Sequence, residues 1–421
     1  MDKFGSSAMR SITFFGLVFI GGTMAAQSSG SITISPKAGV DMGQQIADCV
    51  AQLTGSSSQG GICDARAFTG VQYNRTIGVL NIGAPGMPVE LLLGRVTLYT
   101  SQSIRVQQGS SIVGMPGAFL PTAAPDPSAP PETLPGVGFA AASIIQQYPG
   151  ANLNAVVELD GGFNHLEDLV VDGGKAQNTS GSALLVNRAA RIQLIRVTTQ
   201  NAPAYGIFLS STPSGVSAIG SRTGNESCCA KLQGIVSMRN GKSGLYAFNT
   251  ADVFISFSEF EENAGSGIEL CNSPSFRIEH SDIGGNAEDG IEVYGDNNGF
   301  GADREIIVGN QFGNNQKNDI HIYGTSSGHL ISSNQFIGSS APYYRKPGAD
   351  GICLAGGSNN VILGNTFFKS SEPLHACIEI ERGSGPNQLS ANLCLIEKLP
   401  APVIVLRPQT TNLTPRLPLH R

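Results

Sequence analysis

The sequence predicts an all-β protein that folds as a right-handed parallel β-helix with a short N-terminal capping helix. The first observation is a phrase of alternating apolar and polar residues that occurs six times after residue 243. Alternation is the periodicity of a β-strand, and the Gly and Asn residues between the copies favour tight turns. The second is the spacing of the copies, from 23 to 32 residues. Such a repeat is typical of a solenoid, in which each coil packs on its neighbours.

The repeated phrase predicts which residues lie above one another. In each copy two apolar side chains point inward and the residue between them points outward. A second phrase follows in the same register, and coils stack at about 4.8 Å. Its asparagines are therefore predicted to form a ladder between coils. The copies of the first phrase begin at Gly244, Gly267, Gly290, Asp319, Gly351 and Cys377, and the ladder consists of Asn310, Asn334, Asn365 and Asn392.

Residues 41–53 form the one convincing helix in the sequence. Ile46, Val50 and Leu53 make an apolar face, and Asp41 can cap the first turn. A solenoid needs such a cap because its open end exposes the core and a strand edge. The predicted division of the chain is 1–26 as a signal peptide, 27–115 as N-terminal cap and first coils, 116–395 as the β-helix, and 396–421 as a loose Pro-rich tail.

The N-terminus has the layout of a secretory signal peptide. Lys3 and Arg10 precede an apolar run at 12–20, and small residues follow, with cleavage expected after Ala25 or Ala26. The apolar run is too short for a membrane span, although an uncleaved anchor is the alternative. The sequence therefore predicts a secreted or periplasmic protein with no membrane association after cleavage.

The charge and the cysteine content limit which partners and which cellular compartment the sequence is compatible with. The 26 Lys and Arg residues against 32 Asp and Glu residues indicate no nucleic-acid partner, which would require a basic stripe. Eight cysteines fit an oxidising compartment. Cys49 and Cys63 are the best disulfide candidate, and Cys353 and Cys377, on adjacent coils, could also meet. The oligomeric state is not indicated by the sequence.

Several N-terminal phrases resemble those of the pectate-lyase superfamily. They are the D-x-G-x-x-I-x-x-C helix that begins at Asp41 and the G-G-x-C-D-A-R phrase that begins at Gly60. With the repeats, the resemblance covers roughly residues 38–395, and it implies a pectin-lyase-like right-handed β-helix. Proteins of this superfamily include polysaccharide lyases, glycosidases, epimerases and phage tailspikes, so the resemblance implies no single activity. The motif sets of polygalacturonases and alginate epimerases do not occur.

The outward positions carry the residue types that sugar chemistry requires. Adjacent coils would place Glu269 and Glu292 about 5 Å apart at Cβ, near the separation used by retaining glycosidases. Like charges this close either raise one pKa or recruit a cation. With Asp289 as a third oxygen ligand, the pair is predicted to hold Ca²⁺ in the second case, and His321 on the next coil could act as acid or base. The predicted outward row is Phe208, Tyr246, Glu269, Glu292, His321, Cys353 and Glu379.

Aromatic and cationic side chains predict a polysaccharide as the partner. Phe208 and Tyr246 offer faces for sugar stacking, and the loop of Tyr343, Tyr344, Arg345 and Lys346 suits a uronic acid. The leading hypothesis is a secreted protein that binds and cleaves a uronate-containing polysaccharide. A lyase would use Ca²⁺ with His321, Arg345 or Lys346 as base, and a hydrolase would use the two glutamates. The alternative is a non-catalytic adhesin or carbohydrate-binding solenoid, in which the outward row is a solvated polar surface.

Overall fold

The chain winds into a right-handed parallel β-helix with two parallel sheets, as the sequence predicts. The computed structural model describes residues 30–55, 59–75, 77–116, 142–188, 190–210, 228–295, 301–338, 346, 348–368, 374–381, 383–395 and 404–406. The predicted signal peptide at 1–26 lies outside these residues. No helix within them has the length and apolar character that a bilayer span requires.

One sheet, here called the front sheet, carries the predicted outward row. Its strands within the described residues are Leu80–Ile82, Ile104–Val106, Ala155–Asp160, Ser182–Asn187, Ile207–Ser210, Leu245–Phe248, Ile268–Cys271, Ile291–Gly295, Ile320–Gly324, Ile352–Gly356, Ile378–Ile380 and Ile404–Leu406. The last strand lies inside the predicted loose tail and pairs in parallel with Ile378–Ile380. These three residues are an apolar run within the predicted tail, and they extend the stack by one strand.

The other sheet, here called the back sheet, bends around the remaining sides of each coil. Its strands within the described residues are Ser31–Thr33, Gly61–Ala65, Gly70–Asn74, Val89–Leu93, Val96–Thr100, Ser111–Val113, Ser143–Gln147, His165–Asp172, Gln193–Gln200, Lys231–Gln233, Val236–Met238, Phe254–Ser256, Glu259–Glu261, Arg277–Glu279, Asp282–Gly284, Ile306–Val308, Gln311–Gly313, Leu330–Ser332, Gln335–Phe336, Val361–Leu363, Thr366–Phe367, Gln388–Ser390 and Leu393–Cys394. Between the sheets, inward aliphatic and aromatic side chains form one continuous core. Phe336, for example, stacks between Phe312 and Phe367, with ring centroids 5.0 and 4.4 Å away.

The helix Met42–Leu53 covers the N-terminal end of this core. The side chain of Asp41 accepts a hydrogen bond from the backbone N–H of Gly43 at 2.8 Å, as an N-cap does. Ile46 and Val50 are buried with the apolar interior. The predicted disulfide between Cys49 and Cys63 is confirmed, and it ties the helix to the strand Gly61–Ala65.

The second disulfide differs from the predicted one. Cys377 is bonded to Cys394, whereas Cys353 is a buried free thiol. Cys353 pairs in register with Glu379 and so occupies the outward row, while Cys377 is fully buried at the inward start of the phrase. The two side chains of the predicted pair therefore belong to different rows, and a disulfide between adjacent coils requires cysteines in the same row.

The predicted asparagine ladder is present and is buried. The Asn310 backbone N–H and side-chain amide donate to Asn334 Oδ1 at 2.9 and 3.1 Å, and Asn334 donates in the same way to Asn365 at 3.0 Å. Asn365 continues the ladder to Asn392. A second ladder, which the sequence did not predict, consists of Asn240, Asn263, Asn286 and Asn315. Both ladders satisfy turn backbone groups that the stacked coils bury.

The back sheet carries a cluster of acidic side chains away from the predicted site. Burial and the charges of Asp282, Glu259 and Glu262 raise the pKa of Glu261 to about 6 from its usual 4.5. Because the folded chain holds this proton more tightly than the unfolded chain, the group stabilises the fold below pH 4.5. That stabilisation is lost as the pH rises through about 6.

We therefore expect Glu261→Gln to increase the free energy of unfolding at pH 8 by about 1 kcal/mol, after allowance for solvent screening, and to leave it unchanged at pH 4. Urea unfolding at both pH values measures this difference. Glu158→Gln is the matched control, because Glu158 pairs with Arg105 at 3.0 Å and its neutralisation offers no gain at pH 8. An equal effect of Glu261→Gln at the two pH values would contradict the prediction.

Candidate functional site

The predicted outward row is in register on the front sheet. Backbone pairing places each member directly beside the next along the stack. The first five side chains are half-buried, whereas Cys353 and Glu379 are buried. The row is Phe208, Tyr246, Glu269, Glu292, His321, Cys353 and Glu379.

A close approach between coils explains the glycine two residues before Tyr246 and before Glu269. At Gly267 an added Cβ would lie 2.7 Å from the carbonyl oxygen of Gly290 on the next coil. A Cβ at Gly244 would meet the carbonyl oxygen of Gly267 at the same distance. The recurrent Gly of the phrase thus lets the coils stack at strand spacing and keeps the outward side chains aligned.

Glu269 and Glu292 are held by the same arrangement of hydroxyl groups. Glu269 accepts hydrogen bonds from Ser243 Oγ at 2.7 Å and from Tyr294 OH at 2.9 Å. Glu292, one coil further, accepts from Ser266 Oγ at 2.9 Å and from Tyr323 OH at 2.7 Å. Each carboxylate therefore has one serine from the preceding coil and one tyrosine from the following coil, which restricts its orientation.

Sequence reasoning missed these serines and tyrosines. A signal was present, since Tyr294 and Tyr323 both stand two residues after an outward position, and Ser243 and Ser266 both stand three residues before one. The alternation of a strand returns positions two apart to the same face. A search for polar residues at a fixed offset from the phrase would have found them.

The environment of Glu292 raises the pKa of its carboxyl group above the usual value of a glutamate. Burial raises its pKa, and the charges of Asp289 and Glu269 add to this effect, while hydrogen bonds from Tyr323 and Ser266 oppose it. Burial also raises the pKa of Tyr323 and of Tyr294, so both phenols keep their protons and act as donors. The site thus contains two neighbouring carboxyl groups, and the pKa of the Glu292 carboxyl is raised.

Asp289 and His321 form a second polar pair beside Glu292. His321 Nδ1 lies 3.3 Å from Asp289 Oδ2, and Asp289 Oδ1 accepts the backbone N–H of Asn318 at 2.8 Å. Asp289 is buried, so its carboxylate orients the imidazole. A proton on Nδ1 leaves Nε2 as the basic nitrogen of the ring.

The N-terminal end of the row is an aromatic surface. The rings of Phe208 and Tyr246 stack with centroids 5.2 Å apart, and Tyr205, which was not predicted, stacks on Tyr246 at 4.7 Å. Lys242 Nζ lies 5.0 Å from the centroid of the Tyr205 ring. Two predicted sugar-stacking residues are therefore brought together, and a third aromatic ring enlarges their surface.

The predicted cationic loop is described only at its last residue. Tyr343, Tyr344 and Arg345 lie outside the described residues. Lys346 Nζ lies 3.0 Å from Glu288 Oε1 and donates to the Ala287 carbonyl oxygen at 3.1 Å. The ammonium group of Lys346 is thus held on the coil that carries Asp289 and Glu292.

Among the described residues, one group of three side chains has the arrangement of metal ligands, and it is not the predicted one. The ligand atoms of Asp350, His375 and Glu379 all lie within 4.8 Å of one another. Glu379 belongs to the predicted row, but the sequence spacing did not indicate that His375 and Asp350 would join it. The predicted calcium ligands Glu269, Glu292 and Asp289 remain a proposal.

Comparison with known families and structures identifies the fold. Residues 167–367 match the family described as the right handed beta helix region. The Dettilon tailspike protein (gp208) is 13% identical, with a TM-score of 0.59 over 87% of this chain and 68% of that one. DFA-IIIase from Arthrobacter chlorophenolicus A6, in complex with GF2, is 13% identical, with a TM-score of 0.55 over 86% and 94% of the two chains.

The A-module of the Azotobacter vinelandii mannuronan C-5 epimerase AlgE4 is 12% identical, with a TM-score of 0.53 over 76% of this chain and 91% of that one. No curated protein sequence matches the chain. At these identities the structural likeness concerns the fold alone. The right-handed parallel β-helix predicted from the sequence is confirmed, and the chain has this fold.

Proposed function

We propose that this pectin-lyase-like β-helix binds a polysaccharide along the outward row of its front sheet and hydrolyses it with Glu269 and Glu292. One observation carries the proposal. Two carboxylates in register on adjacent coils are each oriented by a serine and a tyrosine hydroxyl, and burial with neighbouring charge raises the pKa of one of them. Glycosidases use a pair of carboxyl groups, and the environment of the one that donates the proton raises its pKa.

The two glutamates have distinct roles in the proposed reaction. Glu292 donates its proton to the glycosidic oxygen as the bond from that oxygen to the anomeric carbon breaks. The carboxylate of Glu269 attacks the anomeric carbon and forms a glycosyl ester. Water then hydrolyses the ester, and Glu292, now a carboxylate, accepts the proton of that water. The coil spacing of about 4.8 Å suits this retaining mechanism, whose carboxyl groups lie about 5 Å apart.

The charge of the site favours hydrolysis of a neutral saccharide over uronate cleavage. The site contains three interacting carboxyl groups, those of Glu269, Glu292 and Asp289. The ammonium groups of Lys317 and Lys346 are each paired with Glu288. A uronate would be repelled unless a cation neutralised these groups. Lyase chemistry, with Ca²⁺ at Glu269, Glu292 and Asp289 and with His321 as base, is therefore the alternative reaction.

A non-catalytic carbohydrate-binding protein is the second candidate function, and the aromatic end of the row favours it. Tyr205, Phe208 and Tyr246 form a stacked surface that can bind sugar rings without any cleavage. A protein with this fold that is named a mannuronan C-5 epimerase supports carbohydrate as the ligand class in either case. The two disulfides agree with a secreted or periplasmic location, which is part of the proposal.

A panel of neutral and uronate polysaccharides, incubated with purified protein with and without EDTA, tests the proposal. We expect new reducing ends from a neutral polymer, no ultraviolet absorbance from unsaturated products, and no effect of EDTA. Unsaturated products that EDTA abolishes would favour the calcium-dependent lyase. Binding in a pull-down assay without products would favour the non-catalytic function. The absence of both binding and products would contradict both functions.

A further inference from the structure

Three side chains converge at the C-terminal end of the front sheet. His375 Nδ1 lies 3.2 Å from Asp350 Oδ1 and 3.2 Å from Glu379 Oε2. Asp350 and Glu379 are almost completely buried, whereas 39% of the His375 side chain is exposed. One imidazole nitrogen thus faces two buried carboxyl groups.

The separations among these atoms are those found around a bound metal ion. In a tetrahedral site with zinc–ligand bonds of about 2.0–2.1 Å, neighbouring ligand atoms lie roughly 3.3–3.4 Å apart. The two separations from His375 Nδ1 are 3.2 Å, and the whole group lies within 4.8 Å. An ion placed between the three atoms would therefore need only small side-chain movements, and a water molecule could take the fourth position on the exposed side of His375.

The ligand types select among metals. Ca²⁺ prefers a shell of six to eight oxygen atoms, whereas an imidazole nitrogen with two carboxylates suits Zn²⁺ and other first-row transition metals. The backbone also supports the site, since Asp350 Oδ1 accepts the N–H of Ala376 at 2.8 Å and is thereby fixed in position. Such a support keeps a ligand oriented when the metal is absent.

We propose that Asp350, His375 and Glu379 bind one divalent transition-metal ion, Zn²⁺ or a metal of similar chemistry, that links two adjacent coils. Asp350 precedes the strand Ile352–Gly356, and the other two ligands belong to the coil of Ile378–Ile380. The same coil carries Cys377, which is disulfide-bonded to Cys394. The metal would therefore reinforce the C-terminal end of the stack, where fewer coils cover the core.

Calorimetric titration of untagged, EDTA-treated protein with ZnCl₂ tests this proposal. We expect one Zn²⁺ per chain, an increase in Tm upon saturation, and no competition from CaCl₂. His375→Ala and Glu379→Gln are each expected to weaken zinc binding by about 100-fold or more. His375 is partly exposed, so we expect His375→Ala to keep the fold even where Glu379→Gln loses it. Circular dichroism checks the fold of both variants.

His165→Ala is the matched control. His165 Nε2 lies 2.9 Å from Glu167 Oε2 on the back sheet, but this pair belongs to no group of three ligands among the described residues. The control should keep the zinc stoichiometry of the unaltered protein. The absence of zinc binding, or binding that survives in both His375→Ala and Glu379→Gln, would overturn the proposal. No saccharide enters this assay, so its failure is distinguishable from failure of the proposed hydrolysis.

Discussion

Replacing Glu292 with Gln is expected to lower the rate of polysaccharide hydrolysis by about 100-fold or more. The amide is nearly the same size as the carboxyl group but cannot donate a proton to the leaving oxygen. Ser266 and Tyr323, whose hydroxyls hold Glu292, can still hydrogen-bond to the amide, so the variant should fold and bind the polymer. Reducing-end assays measure the rate, and a pull-down on the insoluble polymer measures binding.

The pH dependence of the same reaction provides an independent measurement. Since burial and the charges of Asp289 and Glu269 raise the pKa of Glu292, the acid form persists above its usual range and is lost as the pH rises through the raised value. We expect kcat/KM of the unaltered protein to fall on that alkaline side, and the residual rate of Glu292→Gln to lack this fall.

Glu259→Gln is the matched control for these measurements, because Glu259 is an exposed glutamate on the back sheet. It should hydrolyse at the unaltered rate. A Glu292→Gln variant that keeps more than about half of the activity would rule out Glu292 as the proton donor. A large loss of activity in the Glu259→Gln control would show instead that removal of a carboxylate outside the outward row also impairs the protein.

Replacing Asn334 with Ala is expected to lower the free energy of unfolding by about 2–5 kcal/mol. Asn334 Oδ1 accepts two hydrogen bonds from Asn310, and Asn334 Nδ2 donates to the carbonyl oxygen of Ile307 and to Asn365 Oδ1. Without the amide, the buried Asn310 N–H and Ile307 carbonyl lose their partners. Each such buried group costs about 1–3 kcal/mol.

Guanidinium unfolding, followed by circular dichroism, measures the effect of Asn334→Ala. Gln335→Ala is the matched control, because it removes an exposed side chain from the next position of the chain. The control is expected to change stability by less than about 0.5 kcal/mol. A loss of similar size in the two variants would mean that the ladder adds nothing beyond the local strand.

The inward positions of the repeat recur from coil to coil and the outward positions do not, and this difference explains how much of the site was predictable. The inward positions are repeated, so their period places Glu269 beside Glu292 and His321 beside Glu292 from the sequence alone. The outward positions are individual, so their chemistry has to be interpreted one residue at a time. Tyr294 and Tyr323 were missed because their role depends on which oxygen they reach on the preceding coil.

The C-terminal coils mark the limit of prediction from spacing. Insertions between Asp319 and Cys377 change the repeat length, so the sequence did not indicate that His375 would reach Asp350 on the preceding coil. The disulfide between Cys377 and Cys394 was missed for another reason, which is that the two cysteines belong to different phrases of the repeat. Contacts made by turns depend on the path of the backbone, which periodicity does not describe.

The period of the sequence is enough to specify the coil. The signals are local or periodic: alternation of apolar and polar residues, recurrent glycine and recurrent asparagine. Stacked coils repeat these residues at strand spacing, so the fold and the order of the outward row follow from the period. Tertiary structure alone decided the chemistry of the site: which hydroxyls orient Glu269 and Glu292, which charges raise the pKa of Glu292, and which ligands meet at His375. The reason is that burial and side-chain geometry depend on all neighbouring coils at once, whereas a sequence pattern records one coil at a time.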